Sequence, residues 1–592
     1  MPLQTVANRI ADLMQAEGIT HLFSLPDVLH GRIQHALVQR GIPLIANHHE
    51  CAGGHMAEAY SLLTGQTTAV GAARGPGVYN YYPAVANAWS EGRPVLFIGP
   101  EKSREVRSIA GRKSFQYVNA AEVLRSITKY SNVVEHPELV DAVFHEAFRQ
   151  MYIGDMGPAY IGIPFDLLRR NEEYEFGPIL TPEQYRPATF LGPGTKEQLD
   201  LAKAAIMSAR RPVLLAGSGV YQSGMQDQFR EFAEELAAPV LLTHGGQGLL
   251  PDTHPLVFEY NIGEGLEFSR NADLVIAIGT SIGDKIDNGG ATPIAARPAL
   301  EHAWGNAGQQ RWIHIERDPE NLGRNKIVEF PIFGDARQTL QELYGVRPNS
   351  TEWNAEYISV RKSKMSAAYA KLWEEAPDVV PMHPGRVMAE IQKSIPADSI
   401  LSCGGGSFGL WAMRYRHHSI AGHMKSQKAG STSAGMAYAL AAGLKLRGTG
   451  KFSINIGGDG SFQFYLAEIE TAVRYKLPTI FVVGYDQGWG DEVAANLAQY
   501  GDTHEVDHEY VRLDKVAEAM GAHGEYVATL ADIAPAMQRA LASNKPAVIQ
   551  VVIDRDLNAF GLPDRSVLSG GRDWDHVIGG LGAPGLDPFS AH

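Results

Sequence analysis

Residues 452–461 read FSINIGGDGS, and residues 479–490 read TIFVVGYDQGWG. Each stretch begins with a continuous apolar run and ends in a glycine-rich loop, with Asp459 in the first loop and Asp486 in the second. Continuous apolar runs are typical of strands buried on both faces, as in parallel sheets covered by helices. Because a helical pattern separates the two runs, the sequence predicts a βαβ unit. Its acidic residues would lie at the carboxyl ends of the strands, where open α/β sheets bind ligands.

The same alternation of helical patterns and short apolar runs extends along the chain. It predicts the α/β class, with doubly wound parallel sheets. Two polar segments, residues 170–194 and 345–384, interrupt the pattern and are interpreted as connections, the second with a helix near residues 364–375. We therefore expect three doubly wound α/β domains and a tail, over residues 1–170, 190–345, 380–555 and 556–592. The Gly-rich tail is either a lid or interface arm, or a loosely ordered terminus.

Composition excludes several classes of protein. The chain has 592 residues, with 52 Lys and Arg against 66 Asp and Glu, a net charge of −14. Because it is acidic and has no Lys/Arg-rich run, we expect it to bind neither nucleic acid nor an anionic membrane. No apolar run approaches the ~18 residues that span a bilayer. Two cysteines, Cys51 and Cys403, exclude a disulfide framework. With no targeting pattern at the start, we expect a cytoplasmic protein.

The loops around Asp459 and Asp486 suit an anionic ligand with a metal ion. Flanking glycines let backbone N–H groups approach a phosphate, and the start of the following helix favours its charge. Two side-chain oxygens and a carbonyl suit Mg²⁺, which then also holds diphosphate oxygens. An ordinary strand–turn–helix, with glycine for the tight turn, is the simpler alternative. The second acidic loop makes that alternative less favourable.

Gly458-Asp459-Gly460, separated by 25 residues (461–485) from Asp486, resembles the cofactor motif of thiamine diphosphate enzymes. The chain is similar to the superfamily of pyruvate oxidase, acetolactate synthase and 2-oxo acid decarboxylases. The resemblance implies that Asp459 and Asp486 bind Mg²⁺ by side chain and Gly488 by its carbonyl. Relatives carry asparagine where this chain has Asp486. The added negative charge beside a diphosphate would weaken cofactor binding or favour Ca²⁺, and Mn²⁺ also fits such ligands.

His48-His49-Glu50 follow a second apolar run, residues 44–46, and open a helical pattern. By the resemblance, Glu50 is the catalytic glutamate that binds N1′ of the cofactor's pyrimidine and promotes deprotonation of the thiazolium C2. Taken alone, it is a charged residue stabilised at a helix start. His49 is the histidine we single out as a candidate acid or base. The others nearby are His30, His48 and His55.

Further residues match the substrate and cofactor sides of this family. Gln116 resembles the family's substrate-side glutamine. Arg74 precedes a Gly-Pro-Gly turn where relatives carry a small polar residue or histidine. Pointing inward it would hold a carboxylate, phosphate or sulfonate; the alternative is a surface turn. Ala434, or Met436 in a shifted alignment, stands where relatives support the bent cofactor with a bulky residue. The other expected cofactor contacts are Gly75, Gly404, Gly405, Gly458, Gly460, Ser461, Gly488, Trp489 and Gly490.

Two weaker patterns complete the set. Gly217-Ser218-Gly219 in the middle domain lacks the third glycine of a dinucleotide motif, and residues 279–284 lack an arginine, so FAD is not favoured. Residues 502–509 hold six acidic or histidine side chains. A solvated face or active-site loop is the favoured interpretation, and a zinc site the less favoured one.

The sequence therefore predicts a thiamine diphosphate-dependent lyase or transferase that makes or breaks a C–C bond next to a carbonyl. Decarboxylation of a 2-oxo acid with carboligation, as in acetolactate synthase, is the favoured reaction. The alternatives are a 2-hydroxyacyl-CoA or oxalyl-CoA lyase, a C–C hydrolase of a diketone, and a non-catalytic protein that retains the fold. The substrate would be a 2-oxo acid, acyloin or acyl-CoA. The resemblance places the cofactor between two subunits, and so implies at least a homodimer and, by preference, a homotetramer.

Overall fold

Three parallel six-stranded sheets organise the chain. The computed structural model describes residues 3–109, 113–169, 171–186, 191–243, 245–258, 263–283, 304–305, 309–375, 378–414, 423–424, 428–493, 496 and 502–555. Helices lie between most of the successive strands. The predicted α/β class with doubly wound parallel sheets is therefore confirmed. The expected tail, residues 556–592, lies outside the described residues.

The N-terminal sheet has the order β3-β2-β4-β5-β7-β6, and a separate antiparallel pair joins β1 to β8. The strands of the six-stranded sheet are β2 (Leu22–Ser24), β3 (Leu44–Ala46), β4 (Thr68–Gly71), β5 (Val95–Glu101), β6 (Tyr130–Val133) and β7 (Ala159–Pro164). The separate pair consists of β1 (Leu3–Gln4) and β8 (Tyr174–Glu175). Its helices are α1 (Val6–Ala16), α2 (Gly31–Gln39), α3 (Glu50–Thr64), α4 (Pro76–Asn80), α5 (Tyr82–Glu91), α6 (Arg104–Ile109), α7 (Ala120–Leu124), α8 (Val140–Tyr152), α9 (Phe165–Arg169) and α10 (Pro182–Tyr185).

The middle sheet has the order β11-β10-β9-β12-β13-β14. Its strands are β9 (Pro212–Ala216), β10 (Val240–Leu242), β11 (Val257–Phe258), β12 (Leu274–Ile278), β13 (Arg311–Glu316) and β14 (Phe330–Phe333). The helices are α11 (Lys196–Ser208), α12 (Gly219–Gln222), α13 (Gln226–Leu236), α14 (Gly263–Asn271), α15 (Ala336–Leu343) and α16 (Ala355–Glu375). Helices α12 and α13 separate β9 from β10, and α14 separates β11 from β12. The long helix α16 fills the second predicted connection and includes the helix expected near residues 364–375.

The C-terminal sheet has the order β16-β15-β17-β18-β20-β19. Its strands are β15 (Ile400–Cys403), β16 (His423–Met424), β17 (Ser453–Gly458), β18 (Thr479–Tyr485), β19 (His523–Val527) and β20 (Ala547–Val552). The helices are α17 (Pro384–Ser394), α18 (Gly406–Arg414), α19 (Ala434–Leu446), α20 (Asp459–Gln463), α21 (Glu468–Arg474), α22 (Leu513–Ala519) and α23 (Leu530–Ala542). None of the helices within the described ranges is long and apolar enough to cross a membrane.

The N-terminal and C-terminal parts share a hydrophobic core formed largely by helices α3 and α19. Both helices are rich in Ala and Gly, which lets their backbones approach closely. At the centre of this contact the Tyr438 hydroxyl donates to Glu58 Oε1 (2.6 Å), and the Asn87 amide donates to both of these groups. The start of α3 is also tied to α21, because the N–H groups of His48 and His49 donate to Glu468 Oε1. The fold therefore fixes the helix that begins at Glu50 against the C-terminal part of its own chain.

Candidate active site

Asp459 and Asp486 lie at the carboxyl ends of neighbouring strands. Strand β17 ends at Gly458 and β18 at Tyr485, and the parallel register pairs Gly458 with Gly484. The Asp459 side chain is fully buried. Its Oδ1 accepts a hydrogen bond from the Gly460 N–H (2.9 Å), whereas Oδ2 is buried and accepts none. The site therefore holds a buried carboxylate oxygen that receives no hydrogen bond from the described residues.

The electrostatics of this acidic pair suit a bound cation. Burial, and then the charge of Asp486, raise the pKa of Asp459 to about 8. Loss of hydration raises the pKa of Asp486 to about 6, although the Arg555 guanidinium opposes this shift. Carboxylates that share a poorly hydrated site cannot both ionise without a compensating charge. Because carboxylate oxygens are hard ligands, the pair fits a divalent ion such as Mg²⁺.

Glycines bring three backbone loops close to this pair. A Cβ on Gly404 would lie 2.8 Å from Ser461 Oγ, and one on Gly490 would lie 2.7 Å from Asp486 Oδ2. The Ser461 hydroxyl donates to the Gly458 carbonyl (3.0 Å). Gly405 is held by its N–H, which donates to the Thr432 carbonyl (3.0 Å). This close approach forms a backbone cradle of the kind that holds phosphate groups.

The loop after β18 is held by a segment that follows it in sequence. The Trp489 N–H donates to the Val506 carbonyl, and the His508 N–H donates to the Gln487 carbonyl. Gln487 has φ 58°, the left-handed region, so the chain turns sharply just before Gly488. Because Gly488 pairs with Asp507 as an antiparallel bridge, this second segment fixes the backbone at the expected metal-binding carbonyl.

His508 is a neighbour of the acidic pair that sequence reasoning did not single out. Its Nδ1 lies 3.8 Å from Asp459 Oδ2, and its ring packs edge-to-face on Trp489 with centroids 5.0 Å apart. The only signal was its place in the acidic run 502–509, interpreted as a solvated face or active-site loop. Across the described ranges, no group of three His, Cys, Asp or Glu side chains is arranged to hold a metal ion. The zinc interpretation of that run is therefore not supported there.

Glu50 begins helix α3 and is buried, with 5% of its surface exposed. Its Oε2 accepts a hydrogen bond from the Asn80 amide (2.9 Å), and a Cβ on Gly77 would lie 3.0 Å from its Oε1. The carboxylate thus faces the Gly-Pro-Gly turn of its own domain. Among the described residues, no hydrogen bond or ion pair joins it to Asp459 or Asp486.

The candidate histidines occupy different settings. His49 caps α3, because its Nδ1 accepts the Cys51 N–H (3.1 Å), and its ring faces Tyr465. His55 is fully buried. Burial opposes its protonation, but Cys51 and Glu58 raise the pKa of His55 to about 9. His55 therefore belongs to the polar contact between α3 and the C-terminal part, where its Nε2 meets Ser431 Oγ (3.1 Å).

Gln116 and Arg74 lie together beside the Gly75 turn. Gln116 has φ 53°, and a Cβ on Gly75 would lie 2.8 Å from its carbonyl oxygen, so the two backbones touch. Arg74 Nη2 lies 3.5 Å from Gln116 Oε1. The guanidinium is half-buried rather than projecting from a surface turn.

The residues expected to support the cofactor and the glycine motif of the middle part lie in well-packed surroundings. Ala434 and Met436 are both buried in α19, within the core that this helix shares with α3. In the middle part, a Cβ on Gly217 would lie 2.5 Å from the Gly279 carbonyl oxygen. Packing alone therefore explains that glycine, which needs no nucleotide to account for it.

Comparison with known proteins defines the class of this site. Profiles of thiamine pyrophosphate enzyme domains match the chain three times: the N-terminal TPP binding domain at residues 4–123, the central domain at 199–343 and the C-terminal TPP binding domain at 404–551. Together the matches cover more than half of the sequence. The chain therefore belongs to the thiamine pyrophosphate enzyme family; thiamine pyrophosphate is the same compound as thiamine diphosphate.

Relatives of known name are distant but match along nearly their whole length. The chain is 25% identical over 586 residues to sulfoacetaldehyde acetyltransferase from Castellaniella defragrans, covering 93% of this chain and 94% of that protein. It is 25% identical over 570 residues to a probable acetolactate synthase large subunit from Methanocaldococcus jannaschii, covering 93% and 92%. Acetolactate synthase from Bacillus subtilis is 26% identical over 553 residues, covering 93% of each chain.

Proposed function

We propose that this protein uses thiamine diphosphate and Mg²⁺ to decarboxylate a 2-oxo acid and to transfer the remaining acyl unit to an acceptor. One observation carries the proposal: Asp459 holds a buried carboxylate oxygen with no hydrogen-bond donor among the described residues. It lies beside Asp486, within a glycine cradle at the carboxyl edge of a parallel sheet. A family member that had lost the cofactor would have no reason to keep so unfavourable an arrangement.

The residues around the pair have distinct roles in this proposal. Asp459 and Asp486 would bind the metal by side chain, and Gly488 by its carbonyl oxygen. The loops at Gly404, Gly405, Gly458, Gly460, Ser461 and Gly490 would hold the diphosphate, with Trp489 packed beneath Gly460. Met436 or Ala434 would support the bent cofactor. The metal would neutralise the carboxylates and the diphosphate together.

Glu50 would hold a proton at N1′ of the pyrimidine. Because Asn80 already donates to Oε2, Oε1 is the atom we assign to that proton. Bound thiamine diphosphate supplies a thiazolium carbon that attacks carbonyl groups and accepts the electrons released by C–C cleavage. Burial of Glu50 keeps water from competing for the same proton. His49 is left with a capping role, and Gln116 would contact substrate.

Acyl transfer is the favoured reaction because the named relatives include an acetyltransferase and acetolactate synthases. These names do not favour the alternative of a 2-hydroxyacyl-CoA or oxalyl-CoA lyase. We place the complete site between two subunits, with Glu50 from one and Asp459 from the other. The bonds of the Glu50 carboxylate within its own domain are compatible with this arrangement.

The test measures how fast the bound cofactor exchanges its C2 proton. Purified protein with thiamine diphosphate and Mg²⁺ is quenched at intervals in deuterated buffer, and the C2 proton of the cofactor is measured by NMR. We expect accelerated exchange, which Glu50→Gln slows by about 10²-fold or more. Glu122→Gln, an exposed carboxylate of the same domain, should exchange like the parent. Unaccelerated exchange in the parent, or an unaffected Glu50→Gln protein, would refute the proposal. Product analysis with pyruvate then identifies the acyl acceptor.

A further inference from the structure

Two cations follow neighbouring strands at the carboxyl edge of the N-terminal sheet. Arg74 follows β4 and Lys102 follows β5, and these two strands pair in parallel. Burial, and then the charge of Arg74, lower the pKa of Lys102. An anion bound between two like charges would offset their repulsion.

Neither cation forms an ion pair within the described part of the chain. Arg74 Nε is buried without a hydrogen-bond partner, and the contact of its Nη2 with Gln116 is at the 3.5 Å limit. Other arginines of the same domain are paired closely: Arg104 lies 2.8 Å from Asp166, and Arg107 lies 2.9 Å from Glu135. Arg74 differs from these two, although Arg93 Nη1 of the same domain is likewise buried without a hydrogen-bond partner.

Two acidic side chains, Asp27 and Glu101, act on Arg74 without a hydrogen bond to it. Glu101 accepts a hydrogen bond from the Tyr160 hydroxyl (3.0 Å), and burial raises the pKa of Glu101 to about 7. Asp27 lies 3.4 Å from His30 Nδ1. Both attract Arg74 only through space. They hold the guanidinium in place and leave its hydrogen-bond donors open.

The pair flanks the turn that faces Glu50. Gly75 touches the backbone of Gln116, and two residues later Gly77 faces Glu50 Oε1. Phe115 is 75% exposed, and the Lys102 ammonium lies 5.9 Å from its ring centre. Arg74 and Gln116 thus border the turn that faces the assigned proton-holding group, and Phe115, with Lys102 near its ring, is the chain neighbour of Gln116.

We propose that Arg74, with Lys102 and Gln116, binds an oxyanion carried by the substrate, so that the enzyme selects a carbonyl compound with a carboxylate, sulfonate or phosphate at its far end. This inference rests on the proposed function, since it assigns a substrate class to the same site. The planar guanidinium fits two oxygens of such a group, and the ammonium adds a point charge. Arg74 and Lys102 are thereby specificity-determining residues.

The experiment measures binding without turnover. Methanesulfonate and its neutral analogue dimethyl sulfone are titrated by NMR into the protein loaded with thiamine diphosphate and Mg²⁺, at constant ionic strength. We expect saturable binding of the anion alone. Arg74→Gln should weaken it about tenfold or more and Lys102→Gln by less, as expected for loss of charged hydrogen bonds. Arg125→Gln, an exposed arginine of this domain, is the matched control and should change nothing. Acetate and inorganic phosphate, titrated likewise, identify the preferred oxyanion.

Each result decides the inference. Equal binding of both probes, or an anion affinity that Arg74→Gln leaves unchanged, overturns it. If Arg74→Gln does not fold, Arg74→Lys tests the same point, because it keeps the charge and loses the two-point contact; an affinity equal to the parent's overturns the inference. The exchange of the cofactor's C2 proton is recorded on the same samples. Exchange without selective anion binding refutes this inference alone, and anion binding without exchange refutes the proposed function alone.

Discussion

Asp459 and Asp486 interact directly at the ends of two adjacent parallel strands, although 27 positions separate them in the sequence. The fold brings together two groups that repel each other when both are ionised. Such an arrangement is stable only with a shared proton or a bound cation. Variants of this pair therefore test whether a metal ion binds here.

The protein without metal should lose stability as the pH rises. The pKa of Asp459 in the folded chain is about 8, above its ordinary value of 3.8. The folded state thus holds a proton that the unfolded state has released, so the free energy of unfolding falls between about pH 4 and 8. Glu101 and Glu316, whose pKa values burial raises to about 7, act in the same direction. The contribution of Asp459 is therefore measured as the difference in the pH dependence of unfolding between the parent and Asp459→Asn.

Thermal unfolding between pH 5 and 8.5 measures this difference. In EDTA, we expect the melting temperature of the parent to fall more steeply with pH than that of Asp459→Asn. With Mg²⁺ and thiamine diphosphate the parent's slope should shrink, because the metal replaces the proton. Identical slopes for the two proteins in EDTA would contradict the assignment.

Arg555 should compensate for the aspartate at position 486. Its guanidinium attracts the Asp486 carboxylate and forms an ion pair with Asp507 at 2.6 Å. We expect Arg555→Gln to weaken binding of thiamine diphosphate with Mg²⁺ about 3- to 10-fold, the effect of losing one nearby charge. The measurement is isothermal titration calorimetry.

A second background tests whether Arg555 acts through the charge of Asp486 or by stabilising the loop around Asp507. In an Asp486→Asn background the charge is gone, so Arg555→Gln should then have little effect on cofactor affinity. Asp507→Asn breaks the surface ion pair and keeps Arg555, and should change the affinity less than Arg555→Gln does. Additive effects of Asp486→Asn and Arg555→Gln would show that the arginine acts independently of Asp486.

Replacing Gly460 by alanine should destabilise the protein without cofactor, whereas replacing Gly458 should not. A Cβ on Gly460 would lie 2.8 Å from the Trp489 ring, whereas one on Gly458 would meet nothing within 4 Å. Overpacking of this kind costs about 1–3 kcal/mol. We expect Gly460→Ala to lower the free energy of unfolding of the apo-protein in urea by that amount and to change Trp489 fluorescence. Gly458→Ala should match the parent, and equal losses in both variants would rule out the packing argument.

Complementary inactive chains should restore activity when they are co-expressed. If Glu50 and Asp459 of one site come from different subunits, a hybrid of Glu50→Gln and Asp459→Asn chains has one intact site. Random pairing then gives about a quarter of the parent's activity. Differently tagged chains that both carry Glu50→Gln are the control and should stay inactive. A hybrid without activity would place the complete site within one chain.

The sequence by itself determined the fold class and the positions of the acidic pair. Short continuous apolar runs bounded by glycine and proline are typical of strands buried on both faces, and parallel strands present their carboxyl ends at one edge of the sheet. Asp459, Asp486 and Glu50 each follow such a run. The motif spacing then indicated the family, which the domain matches confirm.

Tertiary structure alone decided what surrounds these residues. His508 and Arg555 reach the acidic pair from loops that no local pattern connects to it, and Lys102 reaches Arg74 from a neighbouring strand. The direction of Arg74 is likewise set by the backbone contact of Gly75 with Gln116. Local periodicity reports which face of an element is buried. Contacts between distant loops depend on how packed elements orient them, and that information is not present in any single stretch of the chain.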